Sequence, residues 1–147
     1  MRVVVDTNIV ISALIRDSKV REILLSTRFN FVSPDFVLDE IAKYSDYISR
    51  KAGISRKEFD LLMALIFQGV TIVPAESYQS CKDKALSIMR EDIKDVPFVA
   101  CHLALGCDGI WTNDSDFEGK TGIKVFSTER MLQLMKGNNR LLGARLR

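Results

Sequence analysis

Residues 2–12 read RVVVDTNIVIS, an apolar segment interrupted by three polar residues. Residues 3–5 are three consecutive valines, a short apolar run typical of a strand buried on both faces of a parallel sheet. Asp6 follows at once, and an unpaired buried carboxylate is very costly. Because ligands bind at the carboxyl ends of strands in open α/β sheets, we predict that Asp6 lies at the mouth of a site. A simpler interpretation is that Asp6, Thr7 or Asn8 caps the following helix.

Length and composition are those of an ordinary globular domain. The 147 residues are 47% hydrophobic and 27% charged, with a net charge of +2, which by itself neither indicates nor excludes nucleic-acid binding. No apolar run approaches the roughly 20 residues that span a bilayer. The N-terminus enters a strand directly, without the pattern of a signal peptide. We therefore expect a cytoplasmic protein with no membrane contact.

The cysteines and the single histidine are predicted to be structural. An odd number of cysteines in a chain without an export signal argues against a disulfide framework. The spacing of Cys101, His102 and Cys107 fits no usual zinc pattern. Nothing marks a nucleophile beside His102, so we interpret it as a residue on a helix face.

The rest of the chain alternates strands and helices. After the first strand, strands are predicted over residues 29–32, 70–73, 110–112 and 123–126, and helices over 9–14, 18–26, 34–44, 56–68, 76–89, 96–105 and 129–135. This alternation predicts a three-layer α/β/α sandwich around a mostly parallel sheet. The domain is expected to span residues 1–136, followed by a loose basic tail over residues 137–147.

Several acids stand where the predicted elements begin or end. Glu40 lies near the apolar side of its helix, Asp95 precedes an apolar helix, and Asp114 and Asp116 follow the fourth strand. Each acid alone has a capping or ion-pair explanation. If the first and fourth strands are neighbours, the carboxylates meet, and like charges cannot share a dry space unless they are protonated or hold a cation. Oxygen ligands without His or Cys favour Mg²⁺ or Mn²⁺, which can activate water and bind a phosphodiester.

The chain resembles the PIN-domain ribonucleases, which include the toxin nucleases of toxin–antitoxin pairs. The segments that carry the resemblance are VVVDTNIVIS, SPDFVLDEI, DVPFVACHLALGCDGIWTNDSDF and VFSTERML, in this order along the chain. It implies a PIN-like five-stranded sheet in the order 3-2-1-4-5. It also implies a metal-dependent endoribonuclease that hydrolyses phosphodiester bonds of single-stranded RNA.

The resemblance further implies individual roles. The catalytic metal ligands would be Asp6, Glu40, Asp95 and Asp114, with Asp116 as an auxiliary acid near the metal. Asp92 is close to Asp95 and could take its part. The residues that hold the carboxylates or metal-bound water would be Thr7, Asn8, Thr112 and Asn113. The implied cofactor is Mg²⁺ or Mn²⁺, and the implied partners are RNA, a second copy in a homodimer and an antitoxin. Apart from the resemblance, candidate basic residues that would attract RNA are Arg16, Lys19, Arg90 and Lys94, but solvated helix faces explain these charges equally well.

Two phosphotransfer interpretations fit poorly. A haloacid-type phosphatase needs a second aspartate two residues after the first, and this position is Asn8. A response-regulator receiver needs its aspartate after the third strand, which here ends in Val73, Pro74 and Ala75. The alternative that stays open is a non-catalytic PIN-fold module that binds RNA or a protein partner.

Overall fold

The central sheet is parallel and has the predicted strand order. The computed structural model describes residues 1–16, 18–120 and 122–145. Its strands are β1 (Arg2–Val5), β2 (Asn30–Pro34), β3 (Val70–Val73), β4 (Gly109–Trp111) and β5 (Val125–Phe126). They are ordered β3-β2-β1-β4-β5, and every neighbouring pair is parallel. The predicted five-stranded α/β/α architecture is therefore confirmed.

Helices surround this sheet. In the described ranges they are α1 (Thr7–Ile15), α2 (Ser18–Leu24), α3 (Phe36–Lys43), α4 (Ser45–Ala52), α5 (Arg56–Ile66), α6 (Ala75–Tyr78), α7 (Lys82–Met89), α8 (Val96–Leu105) and α9 (Thr128–Arg145). Short 3₁₀ turns cover Gln79–Cys81, Ile93–Asp95 and Ser115–Phe117. In this part of the chain, no helix combines the length and apolar character that a bilayer crossing requires.

Strand β1 lies at the centre of the sheet and of the core. Its three valines are fully buried, and helix α8 packs against β1, β2 and β4. Next to the last valine, the backbone N–H of Asp6 donates to the carbonyl of Trp111 at 3.1 Å, which extends the pairing of β1 with β4 by one residue. The carboxyl ends of these two strands therefore meet at one edge of the sheet, as the strand order implied by the family resemblance predicted.

Helix α4 was not predicted from the sequence. It occupies the segment between the helices predicted over residues 34–44 and 56–68, for which no element was predicted. Only Ser45 and Ile48 are buried along it, so the segment has too few apolar residues to produce a helical period. Its C-terminus is a glycine in the left-handed conformation, Gly53, with φ of 69°.

The predicted bounds of the last elements are partly wrong. Helix α9 continues to Arg145, past the predicted end at residue 135 and into the segment expected to be a loose tail. Its Leu, Ala and Arg residues favour a helix, which outweighs the helix-breaking effect of single glycines. Strand β4 begins and ends one residue early, and β5 is limited to Val125–Phe126. Residues 146 and 147 of the predicted tail lie outside the described residues.

Strand β4 requires a glycine at its first position. A methyl group on Gly109 would lie 2.7 Å from the Lys124 carbonyl oxygen and 2.5 Å from the ring of Phe126. We expect Gly109→Ala to lower the free energy of unfolding by about 1–3 kcal/mol, because a tightly packed strand must shift to admit the methyl group. Urea unfolding followed by circular dichroism measures the loss.

Gly137→Ala is the matched control for this substitution. A methyl group there meets nothing within 4 Å, and the residue lies within α9. Alanine favours a helix over glycine by about 1 kcal/mol, so this variant should be at least as stable as the wild type. Equal stabilities of the two variants would contradict the packing argument.

Candidate active site

The carboxylate of Asp6 is buried between β1 and β4. Asp6 is only 4% exposed and occupies the N-cap position of α1, but its side chain makes no capping bond to that helix. Instead, its Oδ2 accepts a hydrogen bond from Oγ1 of Thr112 at 2.7 Å. Its interaction with the helix is limited to the backbone N–H of Thr7, so helix capping accounts for only part of the surroundings of this carboxylate.

Thr112 links Asp6 to the acids that follow β4. The same Thr112 hydroxyl accepts a hydrogen bond from the backbone N–H of Asp114 at 3.0 Å. Oδ1 of Asp114 in turn accepts from the N–H of Asp116 at 2.9 Å, at the start of the 3₁₀ turn Ser115–Phe117. One buried hydroxyl thus fixes the approach of the two strand ends.

Helix α3 brings Glu40 to the same edge. Val37 and Ile41 bury one side of this helix, and Glu40, beside them, is partly buried. Its Oε1 accepts a hydrogen bond from Oγ1 of Thr7 at 2.6 Å. Because Thr7 directly follows Asp6, this bond holds Glu40 close to the buried carboxylate.

The turn between α7 and α8 brings two further acids, Asp92 and Asp95, next to Asp116. Asp92, Asp95 and Asp116 each offer a carboxylate oxygen, and these three atoms lie within 4.8 Å of one another. Among the described residues, the cation paired with this group is Lys120, whose Nζ lies 3.8 Å from Oδ2 of Asp92. We call Asp6, Glu40, Asp92, Asp95, Asp114 and Asp116 the acidic site.

Burial and the nearby carboxylates raise the pKa values of Asp6 and Asp95. Burial, together with the charges of Asp114 and Glu40, raises the pKa of Asp6 to about 6, although hydrogen bonds from Thr112 and the backbone of Thr7 lower it. Burial also raises the pKa of Asp95 to about 7, together with the charges of the four other aspartates of the site. The site therefore holds more negative charge than it can accommodate without protons or a cation.

The donor set suits a hard divalent cation. Every charged side chain of the acidic site offers oxygen, and clustered carboxylates favour Mg²⁺ or Mn²⁺ over softer metals. The only histidine of the sequence, His102, is buried, which lowers its pKa, and the charge that acts on it belongs to Asp108 rather than to the acidic site. Cys101, Cys107 and Cys81 are free thiols, and none of them belongs to the acidic site.

Not every predicted site residue reaches the carboxylates. The amide of Asn113 exchanges hydrogen bonds with Thr128, at 3.1 Å from its Nδ2 and 3.2 Å to its Oδ1, and so connects β4 to the start of α9. Its predicted role in holding carboxylates or water has no support in these contacts. Asn8 is exposed and lines a depression beside Thr7 and Glu40.

The structure places both Asp92 and Asp95 in the site, where the sequence favoured Asp95. The chain reverses between them and α7 at Arg90, whose φ of 57° is unusual for a residue other than glycine. Such a conformation costs about 1–3 kcal/mol and persists where the surroundings impose it. An arginine gives no sequence signal for such a turn, so the orientation of Asp92 could not be predicted.

Comparisons with known proteins agree with this fold. The sequence profile of the PIN domain matches residues 4–136, so the chain belongs to the PIN-domain family. The structure is similar to a chain of a toxin–antitoxin complex from Klebsiella pneumoniae, with a TM-score of 0.62 and 16% sequence identity over 86% of this chain and 97% of that chain. None of the curated proteins matches. The family resemblance predicted from the sequence is confirmed.

The charge repulsion in the site predicts a pH-dependent gain in stability for Asp95→Asn. Because the pKa of Asp95 is raised from 3.8 to about 7 in the folded protein, folding favours its protonated form. In the wild type the cost of ionising Asp95, which comes first from its burial and then from the neighbouring charges, grows as the pH rises from about 4 to about 7. In chelator, we expect the variant to be about 1–2 kcal/mol more stable than the wild type at pH 8, allowing for solvent screening, and this gain to shrink towards pH 4.

Urea unfolding at pH 4, 6 and 8 measures this difference. Asp83→Asn removes one exposed charge of α7 outside the acidic site and controls for the change in net charge. If the wild type is as stable as Asp95→Asn at pH 8, the acidic site does not repel as described.

Proposed function

We propose that this protein is a metal-dependent endoribonuclease. The observation that carries the proposal is the convergence of six carboxylates from separate segments, held by Thr7 and Thr112 and accompanied in the described ranges by one paired lysine, Lys120. Membership of the PIN-domain family and the oxygen-only donor set support it. A purely structural role would not account for acids whose mutual repulsion opposes folding.

In the proposed mechanism, Asp6 is the metal ligand whose position is held most firmly, because its side chain is buried. Its Oδ2 is oriented by the Thr112 hydroxyl, and the N–H of Asp6 is held by Trp111, so the carboxylate has little freedom to move. Asp114 is positioned through the same hydroxyl. These two acids and Asp95 are the proposed metal ligands, with Asp92 and Asp116 close enough to contribute an oxygen each.

The remaining acid, Glu40, is proposed to orient the attacking water or hold a second ion. Its Oε1 is engaged by Thr7, which leaves its other oxygen for this role. A Mg²⁺ or Mn²⁺ ion, when bound, would supply Lewis-acid stabilisation to the phosphate oxygens and help to generate the nucleophile. The raised pKa of Asp95, about 7, means that the folded site binds protons at neutral pH, so ion binding should release them.

Single-stranded RNA is the proposed substrate. This assignment rests on the resemblance of the sequence to ribonucleases of the family, together with the open position of the acidic site at a sheet edge, where Asp116 is exposed. A nucleic acid must bring its phosphate to these acids against charge repulsion, so basic residues near the site are needed as well. Lys94, directly before Asp95, lines the adjoining depression.

Loss of a proposed ligand should abolish cleavage without unfolding the protein. We expect the purified chain to cut single-stranded RNA with Mg²⁺ or Mn²⁺, and Asp6→Asn or Asp114→Asn to lower the rate by more than about 100-fold, the upper end of what loss of an outer-shell partner costs. Cleavage of a labelled oligonucleotide is followed on gels, and Mn²⁺ binding by calorimetry.

The matched control for these variants is Asp83→Asn, which removes an exposed acid of α7 and should cleave like the wild type. Cleavage that survives chelator, or both substitutions at the acidic site, would contradict the metal mechanism. Mn²⁺ binding without cleavage of any RNA or DNA would favour a non-catalytic binding module instead.

We further propose that the protein acts as the toxin of a toxin–antitoxin pair, with an antitoxin protein as its partner. The support is a shared fold with a chain of a toxin–antitoxin complex from Klebsiella pneumoniae. We expect induced production of the chain to arrest growth of a bacterial host and degrade its RNA, and Asp6→Asn to be harmless. Growth curves and RNA gels measure this. If the wild type and Asp6→Asn arrest growth at equal protein levels, toxicity does not depend on cleavage.

The homodimer stays a prediction from the family resemblance.

A further inference from the structure

A depression of about 360 Å³ adjoins the acidic site on the side of α3 and α4. The residues that line it are Thr7, Asn8, Ile11, Glu40, Tyr44, Tyr47 and Lys94, and we call it the tyrosine depression. Thr7 and Glu40, joined by their 2.6 Å hydrogen bond, belong to both the depression and the wall of the acidic site. A molecule held in the depression therefore lies directly beside the carboxylates.

The depression exposes two aromatic rings. Tyr44, at the N-cap of α4, is 39% exposed, and Tyr47, in its first turn, is 50% exposed; both line the same depression. The third tyrosine of the chain, Tyr78, is instead buried, with its hydroxyl donating to Asp35. Two exposed rings beside the apolar Ile11 offer flat faces on which a planar ligand can stack.

Lysines accompany both rings. The Nζ atom of Lys43 lies 5.6 Å from the ring centroid of Tyr44, and that of Lys51 lies 5.7 Å from the ring centroid of Tyr47. Lys94 also lines the tyrosine depression. Positive charge thus borders the acidic site on this side, where it can attract a phosphate that the carboxylates alone would repel.

We propose that the tyrosine depression binds one unpaired nucleobase next to the cleaved phosphodiester, stacked on Tyr47 and Tyr44, with Lys94 near its phosphate. This inference rests on the proposed function. Interleaved aromatic and basic side chains are typical of sites that bind single strands, because every base has a face that can stack. The volume lies at the lower end of the roughly 300–1,000 Å³ of small-ligand pockets, which suits one nucleoside. The depression would thus select single-stranded substrate.

The test is RNA binding by tyrosine variants of the full chain. We use Asp114→Asn as the background so that bound RNA is not cut, and measure the fluorescence anisotropy of a labelled single-stranded RNA. Tyr47→Ala is expected to weaken binding by about 5- to 150-fold, the usual effect of losing one stacked base. Tyr47→Phe keeps the ring and should bind within about threefold of the background protein.

Leu61→Ala is the matched control, since Leu61 is 64% exposed but lines a different depression on α5. Thermal unfolding of each variant checks that the fold is kept, and Tyr47 is the first choice because half of its surface already faces solvent. If Tyr47→Ala and Tyr44→Ala both bind RNA like the control, the proposal is wrong. Equal losses for Tyr47→Phe and Tyr47→Ala would overturn stacking as well.

A substrate change tests the same contact from the other side. In RNA with one abasic nucleotide, placed in turn at each position around the cleavage site, one position should lose the same affinity as Tyr47→Ala, and the two losses should not add. Lys94→Gln should reduce the slope of log affinity against log salt by about 0.7, with Lys57→Gln, at an exposed lysine of α5, as its control. Additive losses at every position would overturn the proposal.

These outcomes separate this inference from the proposed function. If RNA binds through Tyr47 but is never cut by the wild type, the nuclease proposal is wrong and the stacking site is supported. Cleavage by the wild type with tyrosine variants unchanged in RNA binding would remove the stacking site alone. Variants that keep RNA binding but lose a co-purified protein partner would assign the tyrosine depression to protein docking instead.

Discussion

Negative charge crowded at one sheet edge is the constraint on which the rest of this structure depends. The parallel pairing of β1 with β4 places Asp6 beside the residues after Trp111, and the Thr112 hydroxyl fixes the distance between them. The fully buried valines of β1 anchor this edge in the core. The hydrophobic core thus holds together acids that would separate in a looser structure. The folding energy of the domain maintains a charge arrangement that electrostatics alone opposes.

The sheet could be predicted from the sequence because its signals are local and strong. Consecutive valines and the regular alternation of strands and helices both agree with the observed architecture. The strand order came from the family resemblance rather than from these patterns. Helix α4 was missed because its stability depends on tertiary contacts of Ile48 more than on its own composition. The end of α9 was misjudged because single glycines do not always stop a helix.

The candidate site was predictable to the extent that acids follow strands. Asp6 and Asp114 stand directly at strand ends, so parallel pairing alone brings them to one edge. The contribution of Asp92 depends on a reversal at Arg90 with a backbone conformation that the residue type does not announce. For Asn113 the sequence suggested more than the structure supports. Its place after a strand suggested a role at the carboxylates, but its amide donates to Thr128 instead. Side-chain partners from distant segments are what a linear pattern cannot specify.

The pairing of Lys120 with Asp92 gives the acidic site an internal counter-ion. Gly119 and Gly122, both with positive φ, flank the segment that carries this lysine. An incoming divalent ion would therefore exchange with an ammonium group that already neutralises part of the charge. The apparent affinity for the divalent ion would be lower than the carboxylates alone would give, because the ion must displace the ammonium group of Lys120. A tethered ammonium of this kind lowers the net charge of the acidic site, and so lowers the cost of keeping its carboxylates together in the folded protein.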